Sequence, residues 1–125
     1  MVLLIRIASK KEVEVLLVKR GRVIKSRKKA FEKKLSETLW HLIADIFNNR
    51  KPQEISSAAL SYDSGSVTFS GIRSAAAVLN TLGALYNIPL IETYVTLTKK
   101  ELLKDISLKL KKRMFHKKLS PRYIS

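Results

Sequence analysis

The chain has 125 residues and a formal net charge of +15, from 25 Lys and Arg against 10 Asp and Glu. It contains no cysteine, which excludes thiol redox chemistry, thiolate nucleophiles and zinc–thiolate centres. The length suits one domain with its own core, and no window approaches the roughly 20 apolar residues of a membrane span, so a soluble, cytoplasmic protein is expected.

Residues 2–9, VLLIRIAS, are an apolar run that predicts a buried strand, and Arg6 interrupts it too early for a signal peptide. After a turn at KK, residues 12–20 begin with the alternation of a half-buried strand. Gly21 then separates them from a short third strand, RVIKS, giving an antiparallel meander. A long helix is expected over 28–47. Phe31, Leu35, Leu39, Leu42 and Ile46 follow one buried stripe, with Trp40, Ile43 and Phe47 in a second beside it. The second stripe has two readings: broad burial against the chain's own sheet, or cover by a partner helix.

NNRKPQ ends that helix, and residues 54–63 read as a strand. The loop GSVTFSGIR (65–73) leads into a helix over 71–87, which stops before Pro89 because a residue preceding proline is pushed out of helical geometry. Ala75, Ala76, Ala77, Gly83 and Ala84 make this helix smooth enough for another backbone to approach. A fifth strand is expected at 89–97, then an amphipathic helix at 99–115 with Leu103, Ile106, Leu110 and Met114 on one face, and an irregular tail. The order β-β-β-α-β-α-β, with right-handed parallel crossovers, predicts an α/β fold: a five-stranded mixed sheet in a single ribonuclease H-like (actin-like ATPase) lobe over 1–98. Residues 99–125 follow as a basic C-terminal helix and tail.

Catalytic chemistry finds little support in these residues. Two-metal nucleases need carboxylates on the first strand, where this chain has Arg6, and Asp63 and Glu92 lack companions. Neither His41 nor His116 accompanies a nucleophile. No catalytic residue, metal or cofactor is expected. The loop offers Gly65, Ser66, Thr68, Ser70, Gly71 and Arg73 as an anion site, with Ser70 capping a helix N-terminus and Arg73 as a fork-shaped clamp. It lacks the lysine and spacing of a P-loop, and a tight turn with Gly71 closely packed is the other reading.

Basic residues crowd 25–34 and 99–125, while 54–98 is nearly uncharged. Such an excess points first to RNA, with Lys109, Lys111, Lys112, Arg113, Lys117 and Lys118 as candidate contacts. The same lysines also read as the solvated face of an amphipathic helix.

GSVTFSGIRSAAAVLNTLGALYNIPLI (65–91) is similar to a segment of the TsaB (YeaZ) family, G-P-G-S-F-T-G-L-R followed by an Ala/Gly-rich helix and N-I-P-L. Gly65, Phe69, Gly71, Arg73, Asn87, Ile88, Pro89 and Leu90 coincide without a gap, and Ser70 and Ile72 are conservative replacements. VLLIRIAS falls where that family has a strand ending in D-T-S, and LSPRYIS resembles its P-x-Y-[IL]-R ending. The resemblance implies a non-catalytic partner in making threonylcarbamoyladenosine at position 37 of tRNA. Such proteins pair with TsaD through two helices of the N-terminal lobe, and the small ATPase TsaE joins the complex.

Carried onto this chain, the resemblance implies docking through Trp40, Ile43, Phe47, Phe69, Arg73, Ala76, Leu79 and Gly83, tRNA reached through the complex, and a homodimer when alone. Family members have two actin-like lobes and nearly twice this length, so a second lobe replaced by the 99–115 helix is implied. Arg6 stands where the family has Asp, Val67 where it has a loop glycine, and Ser66 where it has proline. One lobe with a basic side chain at the phosphate position does not build an inter-lobe nucleotide site, so no intrinsic ATPase activity is expected. The alternative is a free-standing basic RNA-binding module or homodimer that has diverged from the family.

Overall fold

Alternating apolar residues pair the first two strands, β1 (Val2–Ser9) and β2 (Glu12–Lys19), antiparallel, and β3 (Arg22–Ala30) adds antiparallel to β2. The computed structural model describes residues 1–9, 11–31, 34–48, 51–62, 68–94, 99–117 and 119. Arg20 (φ 52°) and Gly21 (φ 76°) form the β2–β3 turn. Positive φ at both central residues gives the two-residue turn whose twist matches a hairpin.

Helix α1 (Leu35–Ile46), a 3₁₀ turn (Pro52–Glu54), β4 (Ser57–Tyr62), α2 (Phe69–Tyr86), β5 (Leu90–Tyr94) and α3 (Lys99–Lys111) follow. β4 lies parallel to β1, and β5 parallel to β4, so the sheet order is β3-β2-β1-β4-β5. This is the mixed five-stranded sheet and strand order of a ribonuclease H-like lobe, as the sequence predicts.

Strand alternation sorts the side chains onto two faces. Leu3, Ile5, Ile7, Val15, Leu17 and Leu60 join α1 and α2 in the larger core. Val2, Leu4, Leu16, Val18, Ala59 and Ile91 meet Leu102 and Ile106 of α3 on the other face. Burying a Leu or Ile side chain fully is worth about 1.5–3 kcal/mol, so these two residues anchor α3 as a third layer. The edge strand β3 is exposed along most of its length and rich in Lys and Arg, which guards it against pairing with other chains.

Several boundaries differ from the sequence reading. The first helix starts at Leu35 rather than 28, because residues up to Ala30 pair with β2: Lys28 Nζ lies 3.0 Å from Glu12 Oε1, and the Phe31 N–H donates to the Lys11 carbonyl at 2.8 Å. Phe31 therefore precedes the helix, while still packing against the core. β4 starts at Ser57 because Pro52 opens the 3₁₀ turn. α2 starts two residues early, at Phe69, because Thr68 rather than Ser70 is its N-cap.

α3 ends at Lys111, where Arg113 turns left-handed (φ 52°). The Met114 N–H donates to Lys109 O at 3.0 Å and the Arg113 N–H to Leu110 O at 3.1 Å, a Schellman closure. Met114 thereby leaves the apolar face and is half exposed. The expected strand residues 95–97 lie outside the described residues. Among the described residues no helix is long and apolar enough to cross a membrane.

Of the tail, His116, Lys117 and Leu119 are described, irregular as expected apart from one isolated bridge. His116 and Leu90 exchange two backbone hydrogen bonds, at 2.7 and 3.1 Å, on the outer edge of β5. Leu119 then buries itself in the larger core.

Candidate functional site

The turn into α2 is held by its own hydroxyl. Thr68 Oγ1 accepts the Gly71 N–H at 3.1 Å and lies 3.3 Å from Ser70 Oγ. A Cβ on Gly71 would sit 3.1 Å from Thr68 Oγ1, a tight approach to a movable hydroxyl, and an ordinary 3.6 Å from Leu35 Cδ2. Of the six loop residues expected at an anion site, Thr68, Ser70 and Gly71 gather at the start of α2, while Arg73 lies in the next turn and is exposed. Gly65 and Ser66 lie outside the described residues. Thr68 satisfies one of the helix's free N–H donors, that of Gly71, by itself.

The carboxyl ends of β1 and β4 form a second place of interest. In open α/β sheets ligands settle outside the carboxyl strand ends, where the order of connection reverses, and that point here falls between these two strands. Arg6 stands there on the α3 face of β1, between Glu14 on β2 and Ser61 on β4. Its Nη1 is 3.6 Å from Glu14 Oε1, and both Glu14 and Ser61 are buried. A neutralised cation therefore occupies this end of the sheet. Among the described residues no three His, Cys, Asp or Glu side chains cluster as metal ligands.

The expected docking residues divide sharply. Trp40 is 39% exposed and Arg73 is exposed, whereas Phe47 packs partly into the core. Ile43, Ala76 and Leu79 belong to the chain's own core, with Leu79 fully buried. Gly83 is buried too: a Cβ there would meet Ile88 O at 3.1 Å and the Leu90 methyls at 3.3 Å, so its small size serves β5 and not a partner. These four positions are corrections, and the cause is that α1 and α2 bury wide faces against the sheet and each other. The Phe69 side chain lies outside the described residues.

What the two helices leave outside is a different set. On α1, Trp40 and Ala44 are exposed one turn apart. On α2, Arg73, Ala77, Thr81, Ala84 and Leu85 are exposed, with Leu85 at 67%. Thr81 Oγ1 donates to the Ala77 carbonyl at 2.8 Å, so its polar atom is satisfied locally. Small residues at 77, 81 and 84 follow helical spacing, and that pattern was the signal available in the sequence.

The basic candidates scatter. Lys109 Nζ pairs with Asp105 Oδ2 at 3.1 Å. Lys112 and Arg113 are exposed at the end of α3, and Lys117 lines a cavity of about 550 Å³ with Phe115, His116 and Asn87. Lys111 lies elsewhere, in a groove shared with Lys100 and Lys104. Lys118 is outside the described residues.

No protein-family model and no curated protein matches the chain. Among solved structures it is similar to YeaZ from Pseudomonas aeruginosa, at 19% identity and a TM-score of 0.61 over 74% of this chain and 43% of that one. A second structure, an uncharacterized protein with similarity to peptidase YEAZ from Pseudomonas aeruginosa, matches with the same identity and TM-score over 74% of this chain and 42% of its own. At this identity the likeness establishes the fold. The chain spans less than half the length of either structure.

Proposed function

We propose that the protein is a non-catalytic scaffold of the TsaB type, which docks a TsaD-like subunit in the threonylcarbamoyladenosine modification of tRNA. The observation that carries this reading is the outer surface of the α1–α2 layer, where Trp40 stands exposed and Ala77, Thr81 and Ala84 leave α2 smooth. Large aromatics are the usual anchors of protein interfaces, and small residues let a second helix approach closely. The lobe fold shared with the YeaZ structures and the 65–91 sequence resemblance supply the family context.

In this reading the lobe acts by position. Arg73, in the second turn of α2, flanks the smooth surface. Arg6 and Glu14 neutralise each other at the strand ends, an arrangement that favours architecture over phosphoryl transfer. TsaE and tRNA would join through the assembled complex.

Co-expression with the TsaD-like protein of the same organism tests the reading. Co-purification that Trp40→Glu abolishes, with the variant's circular dichroism unchanged, is the expected result. Absence of any complex would overturn it, as would a complex indifferent to Trp40→Glu.

A further inference from the structure

The β2–β3 turn and α3 are remote in sequence, yet they enclose one groove. Gly21 forms one wall, and a Cβ on it would lie 3.9 Å from Ser107 Oγ. Lys100, Lys104 and Lys111 line the other wall of this space of about 450 Å³, with Leu103 and Leu108 between them. Arg20 sits beside Gly21 in the turn and is exposed, whereas Lys19 and Arg22 pair across the hairpin on the α1–α2 face of the sheet by strand alternation. Among the described residues none of the four cations on this side, Arg20, Lys100, Lys104 and Lys111, has an acidic partner. Of the acids of α3, Asp105 is paired with Lys109, and Glu101 stands one helical turn before Lys104, beside the groove.

We infer that this groove binds the phosphate backbone of RNA. The three lysines run along about 16 Å of helix at a rise of about 1.5 Å per residue, a track for several consecutive phosphates. Four cations without acidic partners around one groove are the electrostatic footprint of a polyanion, and their counterions are released when phosphates replace them. A lipid surface fits less well. Membrane-surface helices insert a continuous apolar face, and on α3 that face, Leu102 and Ile106, is buried on the sheet, leaving Leu108 as a single exposed leucine among the lysines. Choosing RNA over DNA rests on the tRNA-modification reading above, but the groove acts in the isolated chain and needs no TsaD-like partner.

The test is fluorescence anisotropy of the full chain with a labelled tRNA transcript, from 50 to 300 mM KCl. The variant K100E/K104E/K111E is compared with K112E/R113E/K117E, which makes the same charge change outside the groove. K100Q/K104Q/K111Q serves as a milder groove variant, and circular dichroism checks every fold. The groove variants are expected to weaken binding at least tenfold, and the glutamate set to lower the salt slope by about 2–3, while the outer set changes affinity less than threefold. Equal losses from both glutamate sets would overturn the proposal, as would no binding at 100 mM KCl. Equally tight binding of duplex DNA, or of phosphatidylserine-containing vesicles, would also overturn it. None of these results depends on whether a TsaD complex forms.

Discussion

The side-chain amide of Asn80 holds both backbone groups of Leu119: its Oδ1 accepts the Leu119 N–H at 2.7 Å, and its Nδ2 donates to the Leu119 carbonyl at 3.2 Å. The tail thus crosses the outer edge of β5, pairs once with Leu90 through His116, and closes on α2. An asparagine in mid-helix ranks low in helix propensity, and here its amide replaces a strand partner for the tail.

Replacing Asn80 by Leu removes two hydrogen bonds and leaves the Leu119 backbone unpaired in a part-buried place. A loss of about 1–3 kcal/mol is expected in urea unfolding. Leu119→Ala should cost about 2–4 kcal/mol, since Leu119 is only 1% exposed. Unchanged stability in both would mean that the tail is not part of the fold.

β3 reaches over to terminate α1. Lys25 Nζ donates to the Asp45 and Ile46 carbonyls at 3.1 and 3.4 Å, and α1 has no basic residue of its own in its last turn. Arg27 Nε donates to Asp45 Oδ2 at 3.0 Å. Lys25→Met should lower stability by about 0.5–1 kcal/mol, and by less at high salt. Arg27→Met should cost about 0–1 kcal/mol, because that pair is about half exposed. Thermal melts at low and high KCl measure both.

The two glycines of α2 should respond in opposite ways to alanine. At Gly71 the added methyl meets the end of the Thr68 side chain, so the gain in helix propensity of about 1 kcal/mol is largely kept if Thr68 shifts slightly. At Gly83 it meets the Ile88 carbonyl, in a turn fixed by the Ile88 N–H bonding back to Gly83 O at 3.1 Å. Gly83→Ala is expected to destabilise by about 1–3 kcal/mol. A melting temperature for Gly83→Ala at or above that of Gly71→Ala would contradict the packing described.

Arg20 sits in the left-handed region that Asn and Gly adopt more readily. Arg20→Asn should raise stability by about 0.5–1 kcal/mol and weaken RNA binding in the same protein. Loss of stability would show that Arg20 supports the hairpin through contacts of its own.

How much of this was legible depends on which interaction decided each element. β1 was readable as a continuous apolar run covered on both faces, and β2 from the alternation that opens it. The KSRKKAFEKK segment misled: lysine and arginine favour helix, and Phe31 stands at helical spacing from Leu35, yet cross-strand pairing with Glu12–Lys19 prevails through Ala30. Trp40, Ile43 and Phe47 looked like one stripe, but the approach of α2 buries Ile43 and leaves Trp40 outside, a tertiary effect with no local signature. The groove was illegible for the same reason. Its basic residues lie some 80 positions apart in the sequence and meet only because α3 packs on the sheet beside the β2–β3 turn.

Docking of a TsaD-like subunit on the α1–α2 surface is tested most directly by calorimetric titration of that protein with wild type, Trp40→Glu, Ala77→Arg and Lys112→Glu. A 1:1 complex is expected for wild type and Lys112→Glu, with affinity at least tenfold weaker for Trp40→Glu and Ala77→Arg at unchanged circular dichroism. No binding by the wild type, or equal binding by all four proteins, would contradict it.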